Sequence, residues 1–246
     1  MRGSGTGSST DPAEGLRVRR LFCPRVRVST ASTVGRAGTR GAGAPALVLA
    51  SNSPRRRRLL QAAGISHEAI APAIDDSEVA MRVGRDIGDR TVALAWMKAS
   101  ATLGVLRRRP GRFGPVLAAD TLVADGARAL GKPESREEAE AMLRSLAGRR
   151  HRVWTGHALV DPASGRRRLW ANAADVRFGP IDPERLRIHL ETGAWKGRAG
   201  GYSLDELLGA GWRIECSGDP DVVLGLSIAG VREALADLGG SEGGRS

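Results

Sequence analysis

The chain has 246 residues, 41% of them hydrophobic and 26% charged, which suits a folded core of one α/β domain or two small ones. It contains no run of 18 apolar residues, only two cysteines (Cys23 and Cys216), and four histidines without metal-ligand spacing. These features argue against a spanning helix, a disulfide scaffold and a zinc enzyme, and they make a reducing, cytoplasmic setting the expectation. The net charge of +11 divides unevenly: residues 1–44 hold eight arginines against Asp11 and Glu14, or +6, which leaves +5 for everything after them, ordinary for a soluble domain.

Residues 1–44 are rich in Gly, Ser, Thr and Arg and lack apolar periodicity, so they read as a disordered basic tail. An Arg-rich, acid-poor leader also fits an organelle transit peptide, or a start extended beyond a true beginning near Pro45; it has no apolar segment for a secretory signal. A folded domain is expected over 45–240, with a short disordered end at 241–246. Its first element is a buried strand at 46–50. Ser53 then caps a helix with Pro54 in its first turn, stopping at Gly64. A longer helix over 89–106 places Val92, Trp96, Ala99 and Leu103 on one face. A second buried strand, 115–119, ends at Asp120, and Asp125-Gly126 marks a tight turn between short strands within 122–130. Ser135 caps a helix to Ala147, with Glu137 and Glu138 in its first turn. Alternating strands at 152–160 and 169–178 are joined around 162–165, and helices follow at 182–190 and 227–238. This mixture without repeats predicts an α/β or α+β fold around one extended sheet.

Three features carry chemistry. The segment Ser51-Asn52-Ser53-Pro54-Arg55-Arg56 lies between a strand and a helix N-terminus, where free N–H groups, two hydroxyls and two guanidiniums suit phosphate oxygens. The alternative is that Ser53 merely caps the helix while Arg55 to Arg58 form a solvated face. Asp120 ends a strand, the place from which open α/β sheets project residues into a ligand crevice; it suits a metal or a water there, or simply an Asp-Thr turn. Arginine outnumbers lysine by 35 to 3, so Lys98, Lys132 and Lys196 stand out, since a compact ammonium approaches a phosphate where a planar fork does not fit.

Residues 49–56 (LASNSPRR), with Leu59-Leu60 after them, closely resemble the opening signature of the Maf family, proteins also called septum-formation inhibitors or house-cleaning nucleoside triphosphate pyrophosphatases. The resemblance continues through Ala119-Asp120-Thr121, Gly131-Lys132-Pro133, residues 146–151 (LAGRRH) leading to Thr155-Gly156, residues 199–202 (AGGY) and Leu224-Gly225-Leu226. It implies a long mixed sheet with flanking helices and a cleft between two lobes. It also implies hydrolysis of the α–β phosphate bond of a nucleoside triphosphate with Mg²⁺ or Mn²⁺, often by a homodimer, with no membrane and with nucleic acid not required. By the same resemblance Ser51, Ser53, Arg55, Arg56, Lys98, Lys132 and Asp205 bind substrate. Asp120 is the proton acceptor, and Asp75, or Asp76 one place on, joins Asp120 at the metal. Residues 203–208 (SLDELL) depart from the family's glycine-flanked Gln or Glu. Gly218-Asp219-Pro220 resembles the subgroup acting on 7-methyl-GTP, whereas Ala119-Asp120-Thr121 resembles the dTTP and UTP subgroup, so the base stays open. The rival expectation is a non-enzymatic protein of cell division that binds a polyanion or partner through the +6 tail.

Overall fold

The computed structural model describes residues 47–72, 74 and 86–239. The tail, the C-terminal end, Asp75 and Asp76 therefore lie outside the described residues. The first strand, β1 (Leu47–Ala50), is buried along its whole length. Helix α1 (Pro54–Ala62) follows with the Ser53 side chain accepting from the Arg56 backbone N–H and proline in its first turn. Gly64, at φ 70°, turns the chain out of the helix into β2 (His67–Ile70), a strand too short and too exposed to show a period in sequence. Helix α2 (Ile87–Leu106) begins two residues before the expected start, because Asp86 accepts from the Asp89 N–H at 2.8 Å. Then come β3 (Val116–Asp125), β4 (Arg128–Leu130), α3 (Arg136–Leu146), β5 (Arg150–Val160), β6 (Arg167–Phe178) and α4 (Pro183–Glu191). A 3₁₀ turn (Ala199–Gly201), α5 (Leu204–Gly209), β7 (Ile214–Ser217), α6 (Pro220–Leu224) and α7 (Ile228–Gly239) complete the order. Among the described residues no helix is long and apolar enough to cross a membrane.

The α/β fold is built on one mixed seven-stranded sheet of order β2-β1-β3-β5-β6-β7, with β4 beside β3. β1 is parallel to β2 and β3; the remaining pairs are antiparallel. Side-chain alternation sorts the central strands onto two layers. Val48, Ala50, Val116, Ala118 and Ala158 pack with Ala95 and Ala99 of α2. Leu47, Leu49, Leu117, Ala119 and Leu159 pack with Leu60 of α1 and with Val231 and Ala234 of α7. A third cluster joins Val123, Val153 and Phe178 to α3, α4, Tyr202 and Trp212. Helix α2 lies almost on the backbone of β5: a Cβ built on Gly156 would come within 2.2 Å of the Thr91 carbonyl carbon.

One expectation is corrected here. Asp120 does not end its strand; β3 runs five residues further, because residues 116–124 pair without interruption with 152–160 of β5. What ends is the neighbour. On its other edge β3 pairs with β1 only at 116–118 and with β4 only at 123–125. Among the described strands none pairs with that edge at 119–122. Since β1 is parallel and β4 antiparallel to β3, both point their C-terminal ends into this gap.

Candidate active site

The gap opens into a cavity of about 490 Å³. The loop after β1 brings in Ser51, Ser53, Arg55 and Arg56, and the loop after β4 brings in Lys132 from the opposite end. Asp120 and Thr121 stand on the exposed edge of β3, while α2 supplies Lys98 and the segment before α5 supplies Lys196, Arg198 and Tyr202. All three lysines of the chain thus line one cavity.

Lys98 Nζ donates to Asp120 Oδ1 at 2.5 Å, and both side chains are more than nine-tenths buried. Either charge alone there would cost several kcal/mol, so the pair keeps a carboxylate inside the protein. No other carboxylate lines the cavity among the described residues.

Arg56 is held from three sides. Its Nε donates to the Gly225 carbonyl at 2.7 Å, Nη1 to Ser51 Oγ at 3.2 Å and Nη2 to Thr121 Oγ1 at 3.1 Å. Thr155 Oγ1 donates to the Val222 carbonyl at 2.7 Å, so in the 2.9 Å contact between the threonine hydroxyls Thr121 is the donor. This chain of donors fixes the guanidinium against the turn after α6. Gly225 is required in that turn: its φ is 107°, and a Cβ would lie 3.3 Å from both Arg56 Nε and Thr121 Oγ1. Arg56 is thereby a buried strut as well as a cavity wall.

Arg55 is set differently. Its burial, and then the positive charge of Arg198, push its guanidinium below the usual arginine range, with Asp205 and Glu206 opposing. Arg57 and Arg58 are exposed and line no part of the cavity. The arginine run is therefore split, two residues facing the cavity and two facing solvent.

Of the residues expected at the site, Ser51, Ser53, Arg55, Arg56, Lys98, Asp120 and Lys132 come together, and Asp205 does not. Burial of Leu204 and Leu207 turns α5 so that Asp205 faces outward. There it accepts from Ser203 Oγ at 2.5 Å and lies 4.0 Å from Arg58. Lys196 and Arg198 were not among the expected site residues. The scarcity of lysine pointed at Lys196, whereas nothing distinguished Arg198 among 35 arginines. Among the described residues no three His, Cys, Asp or Glu gather as a metal cage.

Known proteins share this sequence over most of its length. The sequence profile of the family described as Maf-like protein matches residues 46–238. A dTTP/UTP pyrophosphatase of Nitrobacter winogradskyi is 39% identical over 204 residues, covering 81% of this chain and 94% of the relative. One from a Chelativorans species is 41% identical, covering 74% and 86%, and one from Rhodopseudomonas palustris is 38% identical, covering 80% and 93%. With the matched segment containing every described strand and every side chain of the cavity, the chain belongs to the Maf-like family.

Proposed function

We propose that this protein is a nucleoside triphosphate pyrophosphatase that hydrolyses dTTP or UTP between the α and β phosphates, releasing the monophosphate and pyrophosphate. The observation that carries the reading is that Arg55 and all three lysines line one cavity at the opening in the sheet, with the buried Asp120 carboxylate held there by Lys98. The names of the relatives and the Thr121 that follows Asp120 favour a pyrimidine base.

Phosphoryl transfer asks little covalent chemistry of a protein, so charge neutralisation and positioning supply the catalysis. Lys98 holds Asp120 in place through Oδ1, and the carboxylate orients the attacking water and takes its proton as oxygen bonds to the α phosphorus. The bond from that phosphorus to the bridging oxygen breaks, its electron pair leaving on pyrophosphate. Arg55, Lys132 and Lys196 neutralise the phosphates. A divalent cation fits this donor set, since Mg²⁺ commonly binds through one or two carboxylates plus substrate phosphates; Asp120 would hold it, and it would supply charge neutralisation across the phosphate oxygens.

The test is pyrophosphate release from purified protein supplied with dTTP, UTP, CTP, GTP, ATP and 7-methyl-GTP. The expected result is the highest kcat/KM on dTTP and UTP. A higher value on 7-methyl-GTP would overturn the base assignment, and no release from any nucleotide would overturn the activity.

A further inference from the structure

Arg198 sits in the wall of the cavity, four residues before Tyr202, on a segment that no strand or long helix fixes. Its side chain is only 17% exposed. Glu206 grips it: Nη2 donates to Oε1 at 2.7 Å, and Nη1 lies 2.6 Å from Oε2. The second contact is an ion pair without hydrogen-bond alignment, so among the described residues no acceptor is aligned to receive the buried Nη1. Glu206 itself is 40% exposed and does not line the cavity. The carboxylate therefore stands behind the guanidinium and leaves the cavity side open. The charge of Arg198 also reaches Arg55, which lines the same cavity, and pushes its guanidinium downward, with Asp205 and Glu206 opposing. Both guanidiniums line one cavity, and an anion bound there would be attracted to each.

From this geometry we infer that Arg198 is a further substrate-binding residue, contacting the polyphosphate together with Arg55, and that Glu206 is a positioning residue that aims its fork. The inference rests on the pyrophosphatase reading above. A planar fork clamped along one edge keeps its other N–H groups in a fixed direction, which a lysine ammonium does not reproduce.

The experiment compares wild type with R198A, R198K, E206Q and R198A/E206Q. It measures pyrophosphate release with dTTP, binding of inorganic pyrophosphate to the resting protein by calorimetry, and Tm. R198A is expected to raise KM and weaken pyrophosphate binding by about ten- to a hundredfold, the loss of one charge-assisted partner, with the effect on KM exceeding that on kcat. R198K should not rescue it. E206Q should reproduce part of the loss and add nothing in the double variant, because it acts through Arg198. Unchanged KM and pyrophosphate affinity in R198A, full rescue by R198K, or additive losses in the double variant would each overturn the assignment. A fall in Tm with unchanged KM would overturn it too, reducing the pair to a structural tie. Wild type is read first: if it releases no pyrophosphate, the functional reading fails, whereas normal wild-type turnover with an unaffected R198A removes only this inference.

Discussion

Substituting Gly156 by alanine tests how closely the catalytic pair depends on the packing of α2. A Cβ at that position would stand 2.2 Å from the Thr91 carbonyl carbon, 2.3 Å from the Val92 nitrogen and 2.5 Å from the Thr91 oxygen. All three are helix backbone, so no rotamer change relieves them, and α2 must retreat by about 1 Å or more to restore van der Waals contact. Overpacking of this kind costs about 1–3 kcal/mol, and a rigid backbone clash belongs at the upper end. For a domain of this size that is a fall in Tm of roughly 6–12 °C. Lys98 lies seven residues beyond Thr91, about two turns along the same helix. The same retreat would stretch its 2.5 Å contact with Asp120 beyond hydrogen-bonding range, so turnover should fall even at temperatures where the variant is folded. Gly104→Ala is the internal control: it sits on the same helix with nothing within 4 Å of the place its methyl group would take, and it should raise stability by about 0.5–1 kcal/mol. Thermal unfolding followed by circular dichroism, with pyrophosphate release at about 25 °C, reads both effects. A Tm for G156A within a degree of wild type would refute the packing argument.

Lys98→Met should cost about 3–5 kcal/mol, because it strands the buried Asp120 charge; K98M/D120N should regain stability without regaining turnover, and an equally unstable double variant would contradict this. Burial, followed by the charge of Arg56, lowers His157 to about 3, and burial lowers His151 to about 4. Their contribution to stability is complete above the unfolded value near 6.5 and is lost as pH falls toward these folded values. Each should cost about 2 kcal/mol between pH 7 and pH 5. Urea unfolding of H157Q should show a smaller loss over that interval than wild type, and an identical loss would dismiss His157 as a source. Removing residues 1–44 takes away +6 of charge, so the shortened chain should keep its Tm and turnover while losing salt-sensitive retention on heparin; lost turnover would place the tail in the domain.

Much of the fold was legible because its signals are local. Ser53 and Ser135 cap helices where their spacing said they would, and the apolar runs at 46–50 and 115–119 fall on the parallel neighbours β1 and β3. The short elements were not legible: β2, α5, β7 and α6 hold four to six residues each, too few for a period. The extension of β3 through Asp120 was hidden for another reason. It comes from pairing with β5, 28 to 36 residues away, which no local pattern records. The same long-range geometry creates the opening between β1 and β4, so sequence could name Asp120 and Lys132 without showing why they meet. Composition reached further than pattern at one point: in a chain that avoids lysine, the three lysines mark a single cavity.

The central claim is that Asp120 is the carboxylate on which hydrolysis turns, and Asp120→Asn tests it most directly. The substitution keeps size and removes the charge that holds a cation or accepts a proton. Pyrophosphate release from dTTP with Mg²⁺ should be abolished in D120N while circular dichroism remains that of wild type. Near wild-type release by the folded variant would contradict the account.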